Sequence, residues 1–337
     1  MNGTAIVLTA LTAFVVTSAL GIWLIPFLKR LKYGQTILDI GPVWHKSKQG
    51  IPTMGGIMFI AGITAAVLVG FFTMAASAQG FIGDQMLFMQ HLKLFAGLVM
   101  ALAFAAVGFV DDYIKVVKKR NLGLTEKQKL VLQILITLLY LTVLYALGDR
   151  STILEIPFLG QLDIGLLYYP LAVFTIVGFV NAVNLTDGLD GLCSSVTFVY
   201  SIAFMIISSI LGFMDMNLLS TALAGGCIGF LVWNFYPAKI FMGDTGSMFL
   251  GGLVIALAFG TNLPMFILLV GIIYLVEAFS VILQVISVKT TGKRIFKMSP
   301  IHHHFEMSGY TEVKIVTLFS LITFIGGAVA VIAVHNI

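Results

Sequence analysis

Charged residues are scarce in this sequence: only 10% of its 337 residues are Asp, Glu, Lys or Arg, against about 25% in soluble globular chains. Cysteine is scarcer still, and Cys193 and Cys227 lie in or beside apolar runs without the spacing of metal ligands. That pattern argues against a disulfide framework and a cysteine-based zinc site. Hydrophobic residues make up 59% of the chain, more than a soluble domain can bury, so the sequence predicts a protein whose solvent is largely lipid.

Ten apolar segments approach the roughly 20 residues that a helix needs to cross about 30 Å of hydrocarbon. They are 4–27, 53–73, 94–110, 130–147, 167–183, 192–213, 218–234, 247–261, 264–287 and 314–334. The first lacks a basic leader and is too long for a signal-peptide core, so we expect it to be retained. The sequence therefore predicts an all-α polytopic membrane bundle of about ten transmembrane helices, with residues 1–337 as one integral membrane domain.

The basic residues are distributed unevenly between the two sides of this bundle. Seventeen of the nineteen Lys and Arg lie on one side, and only Lys93 and Arg150 lie on the other. The seventeen fall in four loops, namely 28–52, 111–129, 235–246 and 288–314. The positive-inside rule places these loops in the cytoplasm. Because the number of spans is even, both termini are expected outside.

Adjacent carboxylates stand at the predicted cytoplasmic end of the third span. Asp111 and Asp112 follow the apolar run ALAFAAVGFV, and Lys115 shares their helical face at spacings of four and three residues. Two neighbouring carboxylates repel each other, and a divalent cation or the lysine would relieve that repulsion. Mg²⁺ selects oxygen ligands and often keeps substrate phosphates in its shell. The pair therefore indicates a metal and phosphate site, with a simple interfacial anchor as the alternative.

A second group of polar residues recurs at every third position after the fifth span. Asn181, Asn184, Asp187 and Asp190 lie within NAVNLTDGLDGL, and a helix there would place them in one slowly drifting stripe. The glycines of this segment permit a ligand to approach the backbone closely. The pattern favours a nucleotide or metal site over a polar helix terminus.

Two further motifs lie on the same predicted face. Asp244 sits between glycines in FMGDTGS, predicted to be a short loop that presents a carboxylate and backbone N–H groups to an anion and a metal. The run His302, His303 and His304 in PIHHHFE cannot converge on one metal from a helix, so sugar or pyrophosphate oxygens are the expected ligands. Glu277 lies well inside the ninth span, where a charge is either functional or held by a structural hydrogen bond.

Five motifs carry a resemblance to a known family. In chain order they are HKSKQGIPTMGG, DDYIKVVKK, NAVNLTDGLDGL, WNFYPAKIFMGDTGS and PIHHHFE. With them the chain resembles the phospho-N-acetylmuramoyl-pentapeptide transferases over essentially its whole length. The acidic motifs are similar to those of the wider polyprenyl-phosphate N-acetylhexosamine-1-phosphate transferase superfamily, and the histidine motif points to the muramoyl-pentapeptide branch.

The resemblance implies a reaction and its partners. The donor would be UDP-N-acetylmuramoyl-pentapeptide, the acceptor undecaprenyl phosphate, and the products the first lipid-linked peptidoglycan precursor (lipid I) and UMP. It implies a Mg²⁺ requirement, ten spans in a bacterial inner membrane with the active site facing the cytoplasm, and a homodimer. No nucleic-acid partner is expected.

The resemblance also implies roles for individual residues. Asp244 would be the principal Mg²⁺ ligand, with Asn181 a weaker candidate, and Asp111, Asp112, Lys115 and Asp244 would carry catalysis. The implied substrate-binding residues are Lys48, Thr53, Asn184, Asp187, Asp190, Asn234, Phe241, Gly243, Gln284, His302, His303 and His304. Two chemical routes stay open: direct attack by the lipid phosphate with Asp111 as base, or prior attack by an aspartate to form a phospho-sugar enzyme.

Three other functions compete with this one. A transporter of lipid-linked sugars would place polar groups near the bilayer midplane on broken helices, whereas here they gather at one face. A sibling transferase using UDP-N-acetylglucosamine would keep the aspartates and differ around His302. A membrane scaffold would leave the ordered motifs unexplained.

Overall fold

A computed structural model describes residues 3–31, 48–77, 85–117 and 122–335. Within these ranges ten helices are long and apolar enough to cross a membrane, which confirms the predicted polytopic helical bundle. Several basic loop residues that entered the charge count lie outside the described residues: Lys32, Lys46, Lys118, Lys119 and Arg120.

The helices are numbered α1 to α12 in chain order. Ten are long, namely α1 (Gly3–Arg30), α2 (Gly56–Ser77), α3 (Gln85–Val117), α4 (Glu126–Ala146), α5 (Tyr168–Thr186), α6 (Leu192–Leu211), α7 (Met214–Asn234), α8 (Gly243–Gly260), α10 (Ile272–Thr291) and α12 (Glu312–Val334). Two are short, namely α9 (Ile267–Val270) and α11 (Ile301–Glu306).

The helix α8 forms the centre of the bundle. In its apolar window 89% of the residues are buried, compared with 28% in α1, and α8 packs against α3, α5 and α2. Glycines permit this close packing, because a Cβ at Gly252 would lie 2.6 Å from the Cα of Ala101 and one at Gly251 would lie 2.8 Å from that of Val180. The packing brings the C-terminal end of α3 beside the N-terminal end of α8.

The outer surface of the bundle is apolar over most of the long helices. Large side chains such as Trp23, Phe72, Leu139 and Phe174 are exposed to the surroundings. A soluble monomer rarely exposes so much contiguous apolar surface. Lipid is therefore the solvent that these faces fit, and the chain is a multi-pass membrane protein.

A short β-hairpin connects α4 to α5, in the interval between the fourth and fifth predicted spans. Its strands β1 (Ile153–Ile156) and β2 (Gly160–Asp163) pair antiparallel, with Ile153 opposite Asp163. The β-branched residues of β1 favour a strand, and Gly160 provides the positive φ that begins β2. The described residues hold no other strand.

Two predicted span boundaries are wrong. The ninth span was expected to run unbroken over 264–287. Instead, a 3₁₀ turn (Pro264–Phe266) and the short helix α9 come first, and Gly271 separates them from α10. The third helix does not end at Asp112 but continues to Val117, because YIKVV extends the helical pattern beyond the membrane-like segment. Both aspartates consequently lie inside a helix.

Candidate active site

The N-terminus of α8 is capped by a side chain from α3. The Oδ1 atom of Asp112 accepts a hydrogen bond from the backbone N–H of Asp244 at 3.2 Å, and Oδ2 accepts from the N–H and the hydroxyl of Thr245 at 2.9 and 2.7 Å. These are the donors that a helix leaves unpaired at its first turn. Asp112 therefore fixes the start of α8 against α3. The expected FMGDTGS loop is wrong in this respect, since Asp244 belongs to the first helical turn.

Two lysines bridge the remaining aspartates. Lys115 lies 2.6 Å from Oδ2 of Asp111 and 3.0 Å from Oδ2 of Asp244, while Lys129 lies 3.0 and 2.7 Å from the same two atoms. The second oxygen of Asp111 accepts a hydrogen bond from the N–H of Leu124 at 2.8 Å. Helices α3, α4 and α8 thus meet at one charged cluster.

The helix α5 supplies a neutral partner to the same cluster. The amide of Asn184 donates to Oδ1 of Asp244 at 3.0 Å and to the hydroxyl of Ser247 at 2.7 Å. Asp244 is thereby held from both sides, by the ammonium groups on Oδ2 and by an amide on Oδ1. This orientation leaves part of its side chain accessible, with 19% exposed.

The three aspartates have the composition of a divalent-cation site. Ligand atoms from Asp111, Asp112 and Asp244 all lie within 4.8 Å of one another. Three carboxylates facing two ammonium groups leave one negative charge in excess, and carboxylate oxygens are the ligands that Mg²⁺ prefers. The donor set therefore fits a hard divalent cation.

Asp187 adds a fourth carboxylate beside this cluster, at the residue that directly follows α5. Burial raises the pKa of Asp187 well above its ordinary value, and the charges of Asp244, Asp112 and Asp190 raise it further. Asp187 therefore shares its electrostatic surroundings with Asp244, Asp112 and Asp190.

The predicted stripe from Asn181 to Asp190 is wrong as a single helical feature, because α5 ends at Thr186 and the last members lie on the following turn. Asn181 itself contacts α4: it exchanges two hydrogen bonds with the amide of Gln133, at 2.8 and 3.2 Å, and donates to the carbonyl of Val177 at 2.8 Å. The structure brings Asn184 to Asp244, whereas it places Asn181 in a contact between two helices.

Lys48 and Asp190 form a separate cluster with Glu312. The Nζ atom of Lys48 lies 2.6 Å from Asp190 Oδ1 and 2.7 Å from Glu312 Oε2, and the other oxygen of Asp190 accepts from the N–H of Ala238 at 2.8 Å. Burial lowers the pKa of Lys48, but the hydrogen bonds and charges of its two partners outweigh that effect and raise it. This cluster fastens the start of α12 to the turn after α5.

Four other predicted substrate-binding residues lie around the start of α8. Gly243 has a φ of +71°, and a Cβ there would come within 2.5 Å of Asp112 and 2.8 Å of the hydroxyl of Thr53. The backbone N–H of Phe241 donates to the carbonyl of Pro52 at 2.9 Å. Asn234 is buried, accepting from the N–H of Gly191 and donating to the carbonyl of Ile240. Thr53 and Gly243 thus adjoin the cluster directly.

Gln284 and two of the histidines hold the segment between α10 and α11. Gln284 accepts from the N–H groups of Ile295 and Phe296 and donates to the carbonyl of Phe296. His304 accepts from the N–H of Lys297 at 3.1 Å. His303 lies 2.7 Å from a carboxylate oxygen of Glu306 in the same short helix.

His302 is paired with the acid whose partner the sequence left unidentified. Its Nδ1 lies 3.0 Å from both carboxylate oxygens of Glu277, and both side chains are fully buried. Its Nε2 has no hydrogen-bond partner among the described residues and faces Gly188, where a side chain would collide with the ring. The intramembrane acid therefore fixes the first histidine of PIHHHFE against the turn that follows α5.

Sequence reasoning missed Lys129 as a member of the site. It entered only as one of the basic residues that set the topology, although it contacts both Asp111 and Asp244. A signal was present, because Lys129 ends the first helical turn, EKQK, that a capping box at Thr125 initiates. Gln133 and Glu312 were missed because their partners are distant in sequence.

Comparisons with known proteins agree with this arrangement. The model of the family described as Glycosyl transferase family 4 matches residues 94–262, the range that contains all three clustered aspartates. The model described as Phospho-N-acetylmuramoyl-pentapeptide-transferase signature 1 matches residues 48–60. Fold, site and family model together define a membrane-embedded glycosyl transferase.

Relatives narrow this class further. A protein of Heliobacterium modesticaldum named phospho-N-acetylmuramoyl-pentapeptide-transferase is 48% identical to this chain, over 91% of this chain and 92% of the relative. A Clostridium perfringens protein of the same name is 47% identical, over 94% of this chain and 93% of the relative. The Bacillus subtilis protein of that name is 45% identical over 93% of each chain. The chain belongs to the phospho-N-acetylmuramoyl-pentapeptide-transferase family.

Proposed function

We propose that the chain transfers phospho-N-acetylmuramoyl-pentapeptide from UDP to undecaprenyl phosphate, producing lipid I and UMP. Family membership supports the reaction, and the cluster of Asp111, Asp112 and Asp244 with Lys115 and Lys129 is the observation that supports its chemistry. Phosphoryl transfer depends chiefly on positioning and on neutralising charge, and this cluster supplies groups for both.

The lysines are placed to hold the phosphates of the donor. An ammonium group has three N–H donors. Lys115 and Lys129 each contact two carboxylates, those of Asp111 and Asp244. With side chains 33% and 24% exposed, each retains a donor for a phosphate oxygen. The pyrophosphate would therefore lie against this pair, with the aspartates fixing the direction of both ammonium groups.

The contacts of Asp111 support a positioning role over that of a base. One of its oxygens faces two ammonium groups and the other accepts a backbone N–H, so both oxygens are already engaged in holding neighbouring groups. A lipid phosphate is already ionised near neutral pH, since its second pKa is about 6. An oxygen of that phosphate attacks the sugar-side phosphorus directly, and the bond to the bridging oxygen breaks, so that UMP leaves with the electron pair.

We propose Mg²⁺ as the cofactor, held by Asp244 and Asp111, with Asp112 orienting Asp244 through its backbone hydrogen bonds. When bound, the ion neutralises charge on the pyrophosphate and the leaving UMP. We further propose that residues 1–337 form one transferase domain in the bacterial inner membrane, with the site facing the cytoplasm, and that the chain forms a homodimer. The basic loops support the orientation, and the family resemblance supports the other assignments.

The deciding experiment uses the purified chain, radiolabelled UDP-N-acetylmuramoyl-pentapeptide and undecaprenyl phosphate, with and without Mg²⁺. A lipid-extractable product and UMP, formed only with Mg²⁺, are expected. A product from UDP-N-acetylglucosamine and none from the muramoyl donor would overturn the substrate assignment. Exchange of labelled UMP into the donor without lipid would overturn direct attack, because only a phospho-sugar enzyme predicts it.

A further inference from the structure

One polar contact near the site joins two membrane-spanning helices, α4 and α5. Gln133 of α4 is only 2% exposed. Its Nε2 donates to Oδ1 of Asn181 at 3.2 Å, and the Nδ2 of Asn181 donates back to Oε1 of Gln133 at 2.8 Å. The two amides therefore satisfy each other reciprocally between α4 and α5. Such paired amides hold neighbouring helices together where no water competes.

Each partner of this pair lies one helical turn from a residue that contacts Asp244. On α4, Gln133 follows Lys129 by four residues, and on α5, Asn181 precedes Asn184 by three. Residues at these spacings share one face of a helix. Lys129 reaches Oδ2 of Asp244 at 2.7 Å, and Asn184 reaches Oδ1 at 3.0 Å. The amide pair thus sets the separation of the two groups that grip Asp244 from opposite sides.

We infer that Gln133 and Asn181 form a positioning pair that holds Lys129 and Asn184 on the two oxygens of Asp244, an inference that rests on the proposed function. Both N–H donors of Asn181 are used, one on Gln133 and one on the carbonyl of Val177. Its role is therefore to lock α5 to α4, and a direct bond from Asn181 to a metal is not needed.

A double-variant cycle tests the pair. Gln133→Met and Asn181→Leu remove the hydrogen bonds while keeping similar volumes. Each single variant is expected to lower kcat about 10-fold or more with KM for the donor within about twofold, because orientation at Asp244 is lost and nucleotide contacts remain. The double variant should be no more than about twofold slower than the slower single variant. Losses that multiply would contradict the pair, as would wild-type kcat in Gln133→Met.

Thr137→Val is the matched control. Thr137 lies one turn beyond Gln133 on α4, is fully buried, and its hydroxyl has no hydrogen-bond partner in the part of the chain that the structure describes. The kcat of Thr137→Val should stay within about twofold of wild type, since the substitution keeps the branched shape and removes only a hydroxyl without a described partner. A large loss in Thr137→Val would mean that any change on this face of α4 disturbs the site, and would contradict a specific role for the amides.

Two further variants separate positioning from metal binding. Asn181→Asp supplies a carboxylate but no N–H donor for Gln133, so kcat should fall; retained kcat with tighter Mn²⁺ binding would instead identify Asn181 as a metal ligand and overturn the inference. The exchanged variant, Gln133→Asn with Asn181→Gln, restores two facing amides and should recover kcat to within about fivefold of wild type. If the single variants do not fold, the exchanged variant decides the question. A folded exchanged variant that keeps no more than about 1% of wild-type kcat would contradict the pair, because a loss of that order is expected from a misplaced catalytic group.

Failure of the proposed function is recognisable separately. It would appear as a wild-type chain that forms no lipid-linked product from the muramoyl donor. The contact between Gln133 and Asn181 would then be tested by measuring the thermal unfolding midpoints of the same single and double variants without substrates. Non-additive midpoints would support a direct contact between the two amides, and additive midpoints would contradict it.

Discussion

The two ends of α3 carry charged clusters that are built differently. At its N-terminal end His91 lies 2.8 Å from Asp215, and Lys93 lies 2.8 Å from Asp149. Among the residues that the structure describes, each of these two acids has one basic partner. At the C-terminal end three aspartates face two lysines, and the same oxygen atoms of Asp111 and Asp244 are shared by both ammonium groups.

This difference separates charges that join helices from charges that can bind a substrate. A buried acid with one matched base is neutralised, so it stabilises a contact and has little attraction left for a ligand. A cluster with an excess carboxylate keeps a net attraction for a cation, and lysines that share their acceptors keep donors for phosphate. Lys115 is 33% exposed, against 14% for Lys93, so the ammonium group of the C-terminal cluster is the more accessible to a ligand.

The largest expected effect is at Asp244. Asp244→Asn should lower turnover by about 10³-fold, because it removes a carboxylate from the proposed cation site and one acceptor of both lysines. Asp215→Asn, at the opposite end, is the matched control and should leave turnover within about threefold. Near-normal turnover of purified Asp244→Asn in excess Mg²⁺ would contradict the metal assignment.

The next effect concerns the lysine that the sequence did not identify. Lys129→Met should lower turnover about 10²-fold, since an ammonium group facing the transferred phosphate is lost while the apolar stem is kept. Lys93→Met is the control, because it removes a lysine at the opposite end of α3 whose partners are Asp149 and Asn262. If steady-state assays show equal losses in both variants, the distinction between the two ends of α3 fails.

Glu277 tests whether a one-to-one pair near the site behaves like those at the opposite end. Glu277→Leu leaves the Nδ1 of buried His302 without its acceptor and should lower the free energy of unfolding by about 1–3 kcal/mol. Glu277→Gln keeps an acceptor oxygen and should lose less. Thermal unfolding of both variants provides the measurement. Equal destabilisation by Gln and Leu would show that the hydrogen bond to His302 contributes nothing.

The smallest effect is a gain in stability at Asp187. Folding raises the pKa of Asp187 above its ordinary value of 3.8. Its contribution to the free energy of unfolding is therefore fully present below that ordinary value and is lost as pH rises through the folded pKa. At neutral pH Asp187→Asn should therefore raise the unfolding midpoint by about 2 °C, while turnover falls. The gain should vanish in acid.

Asp163 on the hairpin is the control with the opposite sign. The hydroxyl of Thr152 and the N–H of Gly165 lower its pKa, so Asp163 contributes stability above its unfolded pKa and loses it as pH falls through the folded one. Asp163→Asn should not stabilise the chain at neutral pH. Unfolding midpoints measured across pH would contradict the account if both substitutions shifted them in the same direction.

Much of the fold was predictable because apolar length and the asymmetry of basic residues depend on local sequence alone. Ten spans follow from hydropathy, and the side that gathers Asp111, Asp112 and Asp244 follows from their places at the ends of those spans. Helix boundaries were predicted less well. Glycines such as Gly271 interrupt an apolar run without changing its hydropathy, and Asp244 begins a helix because Asp112, distant in sequence, caps it.

Which residues form the site was predictable only in part, because contacts between distant parts of the chain also decide it. Asp111, Asp112, Lys115 and Asp244 stand out as charges in an apolar sequence, whereas Lys129 resembles any other residue of the basic loops between the spans. Pairings across the bundle carry no local signal. Glu277 and His302 are 25 residues apart, and Gln133 and Asn181 are 48 apart, so only packing of the helices brings each pair together.

The most direct test of the account is cation binding at the unbalanced cluster. Equilibrium dialysis of Mn²⁺, as a stand-in for Mg²⁺, against the purified chain should show about one saturable ion per chain. Asp244→Asn should lose that ion and Asp215→Asn should keep it. Equal Mn²⁺ binding by wild type and Asp244→Asn would contradict the claim that Asp244, together with Asp111, holds the cation.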